Sequence, residues 1–243
     1  MIHFYMHYIY GNHTVEAAIN NKNRVIYELV CLPQHEQHYR SLLYSTNRSK
    51  TCKLRIVKSF HQLGIAGLQD TVHQGVCAFI KLIPISEIST DHINRILILD
   101  QIKDIRNIGA IIRSAAAMHV TQIIYTKSHT LDIYDPKHYS LLAKSASGAC
   151  EHVNLIGVTN LSRCIEDLKK RDFWIIGLDE SGQDIESFVD MPKIAMIVGC
   201  EGDGLRRLTL EKCDLCCKIN TNPTFPCLNA SVAASLAMYV LRK

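Results

Sequence analysis

Ile197-Val-Gly-Cys-Glu-Gly-Asp-Gly-Leu205 runs out of the apolar stretch at 194–198 into a turn holding three glycines around the embedded acid Glu201. A short apolar run that stops at glycine reads as a buried strand leaving a sheet for a loop. Glycine admits positive φ and lets a backbone come close to a ligand. The spacing is neither a dinucleotide fingerprint nor a P-loop, since the Gly-Lys-Ser/Thr ending is missing. A carboxylate beside exposed amides disfavours phosphate and suits a ligand with hydroxyl, amine or cationic groups. Taken alone, the segment reads more simply as a tight loop with a capping glutamate.

Outward from this turn the same alternation recurs. Patterning predicts strands at 95–100, 122–126, 173–178, 194–198 and 214–219, and helices at 108–119, 160–171, 206–212 and 228–241. Strands separated by helices make a parallel sheet covered on both faces, with ligands taken beyond the strand C-terminal ends. Residues 1–82 read as a separate small α/β domain, with helices at Gly11–Asn21 and 35–46 and extended segments at Val25–Leu32, Leu54–Val57 and Gly75–Leu82. The stretch 83–94 has a proline, polar residues and no sustained period, so it reads as a linker, and 95–243 forms the second domain.

Composition narrows the function. Hydrophobic residues at 47% and charged residues at 21% suit a globular protein. The longest apolar runs are too short to span a bilayer. No signal-peptide pattern opens the chain, so the ten cysteines read as reduced thiols in a cytoplasmic protein. Cys213, Cys216 and Cys217 cluster without a second ligand pair, so they read as buried small hydrophobes rather than a metal site. Of the net charge of +4, residues 1–94 supply +3, from nine Lys/Arg against six Asp/Glu. No acid occurs between Glu36 and Asp70, a window holding Arg40, Arg48, Lys50, Lys53, Arg55 and Lys58. Such a stretch is what a phosphate backbone selects, and equally a solvated basic face.

Two further segments carry chemistry. In Asp100-Gln-Ile-Lys-Asp-Ile-Arg-Asn-Ile-Gly-Ala-Ile-Ile-Arg113 a strand ends, a polar loop follows and a helix begins near Asn107, a good N-cap. Arg113 then lies on a helix face with Arg106, Gly109, Ala110, Ala116 and Ala117, two cations among small residues. A structural ion pair, a phosphate or an active-site carboxylate would satisfy it. In Ile219-Asn-Thr-Asn-Pro-Thr-Phe-Pro-Cys-Leu-Asn-Ala-Ser231 a two-proline loop leads into a small-residue helix that Asn229 or Ser231 can cap.

In this order, Asn107-Ile-Gly-Ala-Ile-Ile-Arg113, Gly199-Cys-Glu201-Gly-Asp-Gly204-Leu and Leu228-Asn229-Ala-Ser231-Val-Ala resemble the three motifs of the SpoU/TrmH family of RNA ribose methyltransferases. Lys144-Ser-Ala-Ser-Gly-Ala149 also resembles a family segment. Tyr10-Gly-Asn-His-Thr-Val15 and Val72-His-Gln-Gly75 resemble the ribosomal-protein L30-like RNA-binding domain that precedes the catalytic domain in one branch, which includes enzymes methylating a guanosine ribose of large-subunit rRNA. The resemblance implies an α/β fold whose C-terminal parallel-sheet domain carries a deep trefoil knot, a homodimer, and S-adenosylmethionine as cofactor without metal. It puts Gly199, Ile219 and Leu228 at cofactor-holding backbone positions and Asn107, Arg113, Glu201 and Asn229 at catalytic ones. The basic window becomes the expected RNA-binding face. Two departures stand out: Cys227 replaces the usual serine before Leu-Asn, and Asn220 replaces the usual proline after Ile219. A tRNA substrate, or an inactive RNA-binding assembly factor, are the rival readings; a nicotinamide-type oxidoreductase is disfavoured because Asp100-Gln-Ile-Lys-Asp stands where its glycines belong.

Overall fold

The computed structural model describes residues 7–65, 67–68, 70–83, 87–127, 132–200, 202, 204–225 and 227–242. In chain order its strands and α-helices are β1 (His7–Tyr10), α1 (Asn12–Asn20), β2 (Ile26–Cys31), α2 (Glu36–Ser45), β3 (Lys53–Ile56), β4 (Val76–Ile80), β5 (Arg95–Leu99), α3 (Ile105–Ala117), β6 (Gln122–Thr126), α4 (Pro136–Ser145), β7 (Asn154–Val158), α5 (Leu161–Lys169), β8 (Trp174–Asp184), β9 (Ile194–Val198), α6 (Arg207–Leu210), β10 (Leu215–Lys218) and α7 (Ala230–Val240). They form two compact units: Met1–Pro84 with Ile133–Glu151, and Ile85–Asp132 with His152–Lys243.

The first unit is built on a four-stranded sheet in the order β1-β4-β2-β3, antiparallel except for the parallel β2–β3 pair. Tyr10, Val30, Val57, Phe60, Leu63, Leu68, Cys77 and Phe79 form one of its apolar clusters. The segment Ile133–Glu151 belongs here, whereas sequence patterning puts it inside the second domain and gives it no helix. Two features tie it in. Arg24 donates to Glu151 at 2.7 Å, to the Tyr139 hydroxyl at 3.0 Å and to the Lys81 carbonyl at 3.0 Å. The Arg24 and Glu151 side chains are 0% and 3% exposed. A guanidinium so fully desolvated is tolerable only with its partners in place. Gly148, at φ +91°, meets α1 where a Cβ would lie 2.7 Å from Ala17 Cβ.

The second unit holds an all-parallel six-stranded sheet in the order β10-β8-β9-β5-β6-β7. All five residues of β9 and of β6 are buried, as strands covered on both faces require. Ile96, Ile98, Ile124, Ile156, Ile175, Ala195 and Ile197 pack with Leu161, Cys164, Ile165 and Leu168 of α5. Strands β5, β6 and β9 fall where periodicity predicts them. β7 and α4 lie outside the prediction, and β8 continues to Asp184 beyond the expected end at residue 178.

Candidate active site

The C-terminal ends of β8, β9 and β10 enclose a cavity of about 720 Å³. Val198, Gly199, Cys200, Gly202 and Gly204 form one wall, and Lys218, Ile219 and Asn220 another; Cys227, Leu228, Ala230 and Ala233 come from the final loop and α7. Gly199, Ile219 and Leu228, the residues sequence reasoning assigns to the cofactor, thus all line one space. The glycine turn explains itself by contact. Gly204 N–H donates to the Cys200 carbonyl at 3.1 Å, with Gly204 at φ +63° and Gly202 at +86°. A Cβ on Gly199 would collide with the Gly204 carbonyl, so the turn closes only over glycine.

The exit of that turn is bolted to β5. Asp100, 1% exposed, accepts from Arg206 at 2.7 and 3.1 Å and from the Thr209 hydroxyl at 2.7 Å. Sequence reading missed this pair, because its halves lie 106 residues apart.

The first and third motif segments meet beside this wall. Helix α3 begins at Ile105, and its N-cap is Asp104, whose carboxylate accepts from Arg106 N–H at 2.8 Å. That corrects the expected start near Asn107. With the cap supplied by Asp104, the Asn107 amide oxygen accepts from Asn229 Nδ2 at 3.2 Å. Asn229 also caps α7, accepting from Ser231 N–H at 2.9 Å and its hydroxyl at 2.6 Å. Further along, Ser235 donates to Ser114 at 2.7 Å, so α3 and α7 are joined by side-chain hydrogen bonds at two levels.

Arg113 is exposed on α3 and forms no ion pair or hydrogen bond with a described residue. A structural ion pair of the kind weighed from sequence therefore has no partner among the described residues. Arg106, Ala110 and Ala117 are exposed or half-buried on the same face. Glu201 lies outside the described residues. Asp179, Glu180 and Ser181, which sequence reasoning missed, also line the cavity.

The basic window of the first unit is partly consumed internally. Arg40 pairs with Glu36 at 2.7 Å and Lys53 with Glu28 at 3.7 Å. Arg48 donates to the Arg24 carbonyl at 2.8 Å and to the Asn21 carbonyl. Lys50, Arg55 and Lys58 make no ion pair with described residues. Of the cysteine cluster, Cys213 and Cys217 are pushed up to about 12 by burial and stay protonated thiols. No group of His, Cys, Asp and Glu among the described residues is arranged to hold a metal ion.

Comparison with known proteins decides the family. The SpoU rRNA Methylase family matches residues 94–239. A TrmH-family tRNA/rRNA methyltransferase of Staphylococcus saprophyticus is 33% identical over 245 residues, covering 97% of this chain and 95% of the relative. The chain belongs to the SpoU/TrmH family of RNA methyltransferases. A Staphylococcus aureus relative described in the same way is 32% identical over the same length. Among solved SpoU-type folds, the methyltransferase AviRb of Streptomyces viridochromogenes, determined in complex with AdoMet, superposes with a TM-score of 0.79 at 21% identity, over 98% of this chain and 89% of that one. An RNA 2′-O ribose methyltransferase superposes with a TM-score of 0.75 at 19% identity, over 96% and 86%. These superpositions establish the fold.

Proposed function

We propose that this protein transfers a methyl group from S-adenosylmethionine to a ribose 2′-hydroxyl of structured RNA, a guanosine of large-subunit (23S) rRNA being the acceptor. The observation that carries the reading is the hydrogen bond from Asn229 to Asn107, which joins the first and third motif segments at the rim of the Gly199–Ile219–Leu228 cavity. About 720 Å³ is ample for one nucleoside-sized ligand. Backbone edges at Gly199, Ile219 and Leu228 suit an adenine and ribose, and the ammonium of Lys218 suits the carboxylate of an amino-acid tail. The bound cofactor supplies an electrophilic methyl on a sulfonium.

The chain's residues do the positioning. Displacement at a methyl carbon requires near-collinear approach, so acceptor placement supplies much of the acceleration. The guanidinium of Arg113 remains charged, which suits it to orient the acceptor and a neighbouring phosphate and to offset developing charge on oxygen rather than to act as base. Asn107 and Asn229 orient the hydroxyl, and Glu201 holds Arg113 or takes the proton.

A knotted passage of the chain past the cavity, an L30-like first domain and a homodimer complete the proposal. Val232, Leu236 and Tyr239, 46%, 42% and 52% exposed along one stripe of α7, support a second copy packing there. The relatives' names carry tRNA and rRNA alike, and the separate first unit, read as an RNA-binding domain, favours rRNA. Calorimetric titration of the metal-free protein with S-adenosylmethionine should give saturable binding. No heat at millimolar cofactor from folded protein contradicts the reading.

A further inference from the structure

The β8–β10 ladder breaks register at the cavity. Leu215 and Cys216 pair with Ile176 and Gly177, but the next residues, Cys217 and Lys218, pair with Gln183 and Asp184. One step along β10 is answered by the step from Gly177 to Gln183 on β8, so residues 178–182 leave this ladder as a bulge. Bulges of this kind re-aim side chains. Here the bulge turns Asp179, Glu180 and Ser181 onto the cavity wall. Gly182 closes it against the Cys216–Cys217 backbone, where a Cβ would lie 2.6 Å from Cys216 C and from Cys217 N.

The carboxylate of Asp179 is held in place. One oxygen accepts from Ser181 N–H at 3.0 Å and from the Ser181 hydroxyl at 2.6 Å. The other points to the glycine turn, 3.5 Å from where a Cβ on Gly204 would stand. Neither Asp179 nor Glu180 forms an ion pair with any described residue. The Asp179 carboxylate, fixed by Ser181 at a half-enclosed cavity and without an ion pair to a described residue, complements a cation in the ligand, with exposed Glu180 adding to the same field.

We propose that the Asp179–Glu180 bulge makes the cavity select S-adenosylmethionine over its product, S-adenosylhomocysteine. The inference rests on the cofactor reading above and adds what the bulge does there. The two ligands share adenine, ribose, ammonium and carboxylate groups. They differ by one methyl and by the positive charge on sulfur. Burial of one methyl discriminates only a few-fold. A carboxylate facing that charge in a cavity with restricted water discriminates more, because the attraction is lost whole once the sulfur becomes neutral. The bulge thereby favours departure of the spent cofactor after transfer.

The test is calorimetric titration of the full chain and of Asp179→Asn with both ligands, each protein's melting temperature being checked alongside. Asparagine keeps an oxygen to accept from Ser181 and removes only the charge. Asp179→Asn should weaken S-adenosylmethionine by about tenfold, about 1.4 kcal/mol, while S-adenosylhomocysteine changes by less than about twofold. Exposed Glu180→Gln, which cannot disturb packing, should lower the same ratio by about threefold and serves if Asp179→Asn does not fold. Equal losses for both ligands, or no loss for either, overturn the proposal. A wild-type protein that binds neither ligand overturns the cofactor reading itself, which is a different outcome from a wild type that binds both equally well.

Discussion

Removing the Arg206 guanidinium probes whether the cavity wall depends on its anchorage to β5. Asp100 is 1% exposed and accepts two hydrogen bonds from Arg206 and one from Thr209. Arg206→Ala leaves that carboxylate buried with only the Thr209 hydroxyl. Breaking one side of a buried pair costs about 3–5 kcal/mol. Arg206 is itself 38% exposed, so water can reach part of the vacated space, and about 2–3 kcal/mol is the appropriate loss. For a protein of this size that lowers the melting temperature by roughly 4–12 °C. Arg206→Lys retains the charge but not the two-pronged geometry and should lose about half as much. Because Arg206 follows directly on Gly204-Leu205, cofactor affinity should fall in the same order. Differential scanning fluorimetry with and without S-adenosylmethionine reads both effects. An Arg206→Ala protein melting within about 1 °C of wild type would show that the pair anchors nothing.

Arg113→Ala removes an exposed group without partners among the described residues, so its melting temperature should match wild type while methyl transfer slows roughly tenfold or more; a destabilised variant with normal turnover reverses that assignment. Asn229→Ala loses the α7 cap and the bond to Asn107, and should cost about 1 kcal/mol in a urea titration but far more in turnover than that stability loss explains. Lys50, Arg55 and Lys58 replaced together by Ala should weaken RNA binding and flatten its salt dependence, whereas Arg48→Ala should chiefly lower stability, since Arg48 holds the carbonyls of Arg24 and Asn21; filter binding at several salt concentrations separates the two. Burial raises the Cys150, Cys213 and Cys217 thiols from 9.0 to about 12. A neutral form favoured in the fold contributes stability that is complete below pH 9 and lost as pH rises toward 12, so urea midpoints under reducing conditions should decline above about pH 9; a flat profile to pH 11 contradicts the burial.

Much of the second unit is legible in its sequence because parallel strands buried on both faces, such as Ile194–Val198, read as unbroken apolar runs bounded by helices. Gly199, Ile219 and Leu228 are reached through the family resemblance and not through patterning, and they line one cavity because each ends a strand or leads into a helix. What sequence could not give depends on distant partners. The helix-cap preference of Asn107 is overridden by Asp104 three residues earlier, which frees Asn107 for Asn229. The assignment of Ile133–Glu151 to the first unit hangs on Arg24 meeting Glu151, 127 residues away. The acid-free window reads as a uniform cationic face, yet Glu36 at its border pairs with Arg40, and Glu28 on the neighbouring strand β2 pairs with Lys53. The bulge at Asp179 leaves no periodic trace, because it is fixed by where β10 resumes pairing.

The most direct test of the central claim is the chemical position of the transferred methyl. The purified protein is incubated with S-adenosylmethionine labelled in its methyl group and with unmethylated large-subunit rRNA or tRNA, and the RNA is then hydrolysed in alkali. A 2′-O-methyl group removes the hydroxyl that attacks the neighbouring phosphate, so the label should appear in an alkali-resistant dinucleotide beginning with guanosine, from rRNA and not from tRNA. Label recovered on a base in mononucleotides, or no transfer from a protein that binds the cofactor, would contradict the account.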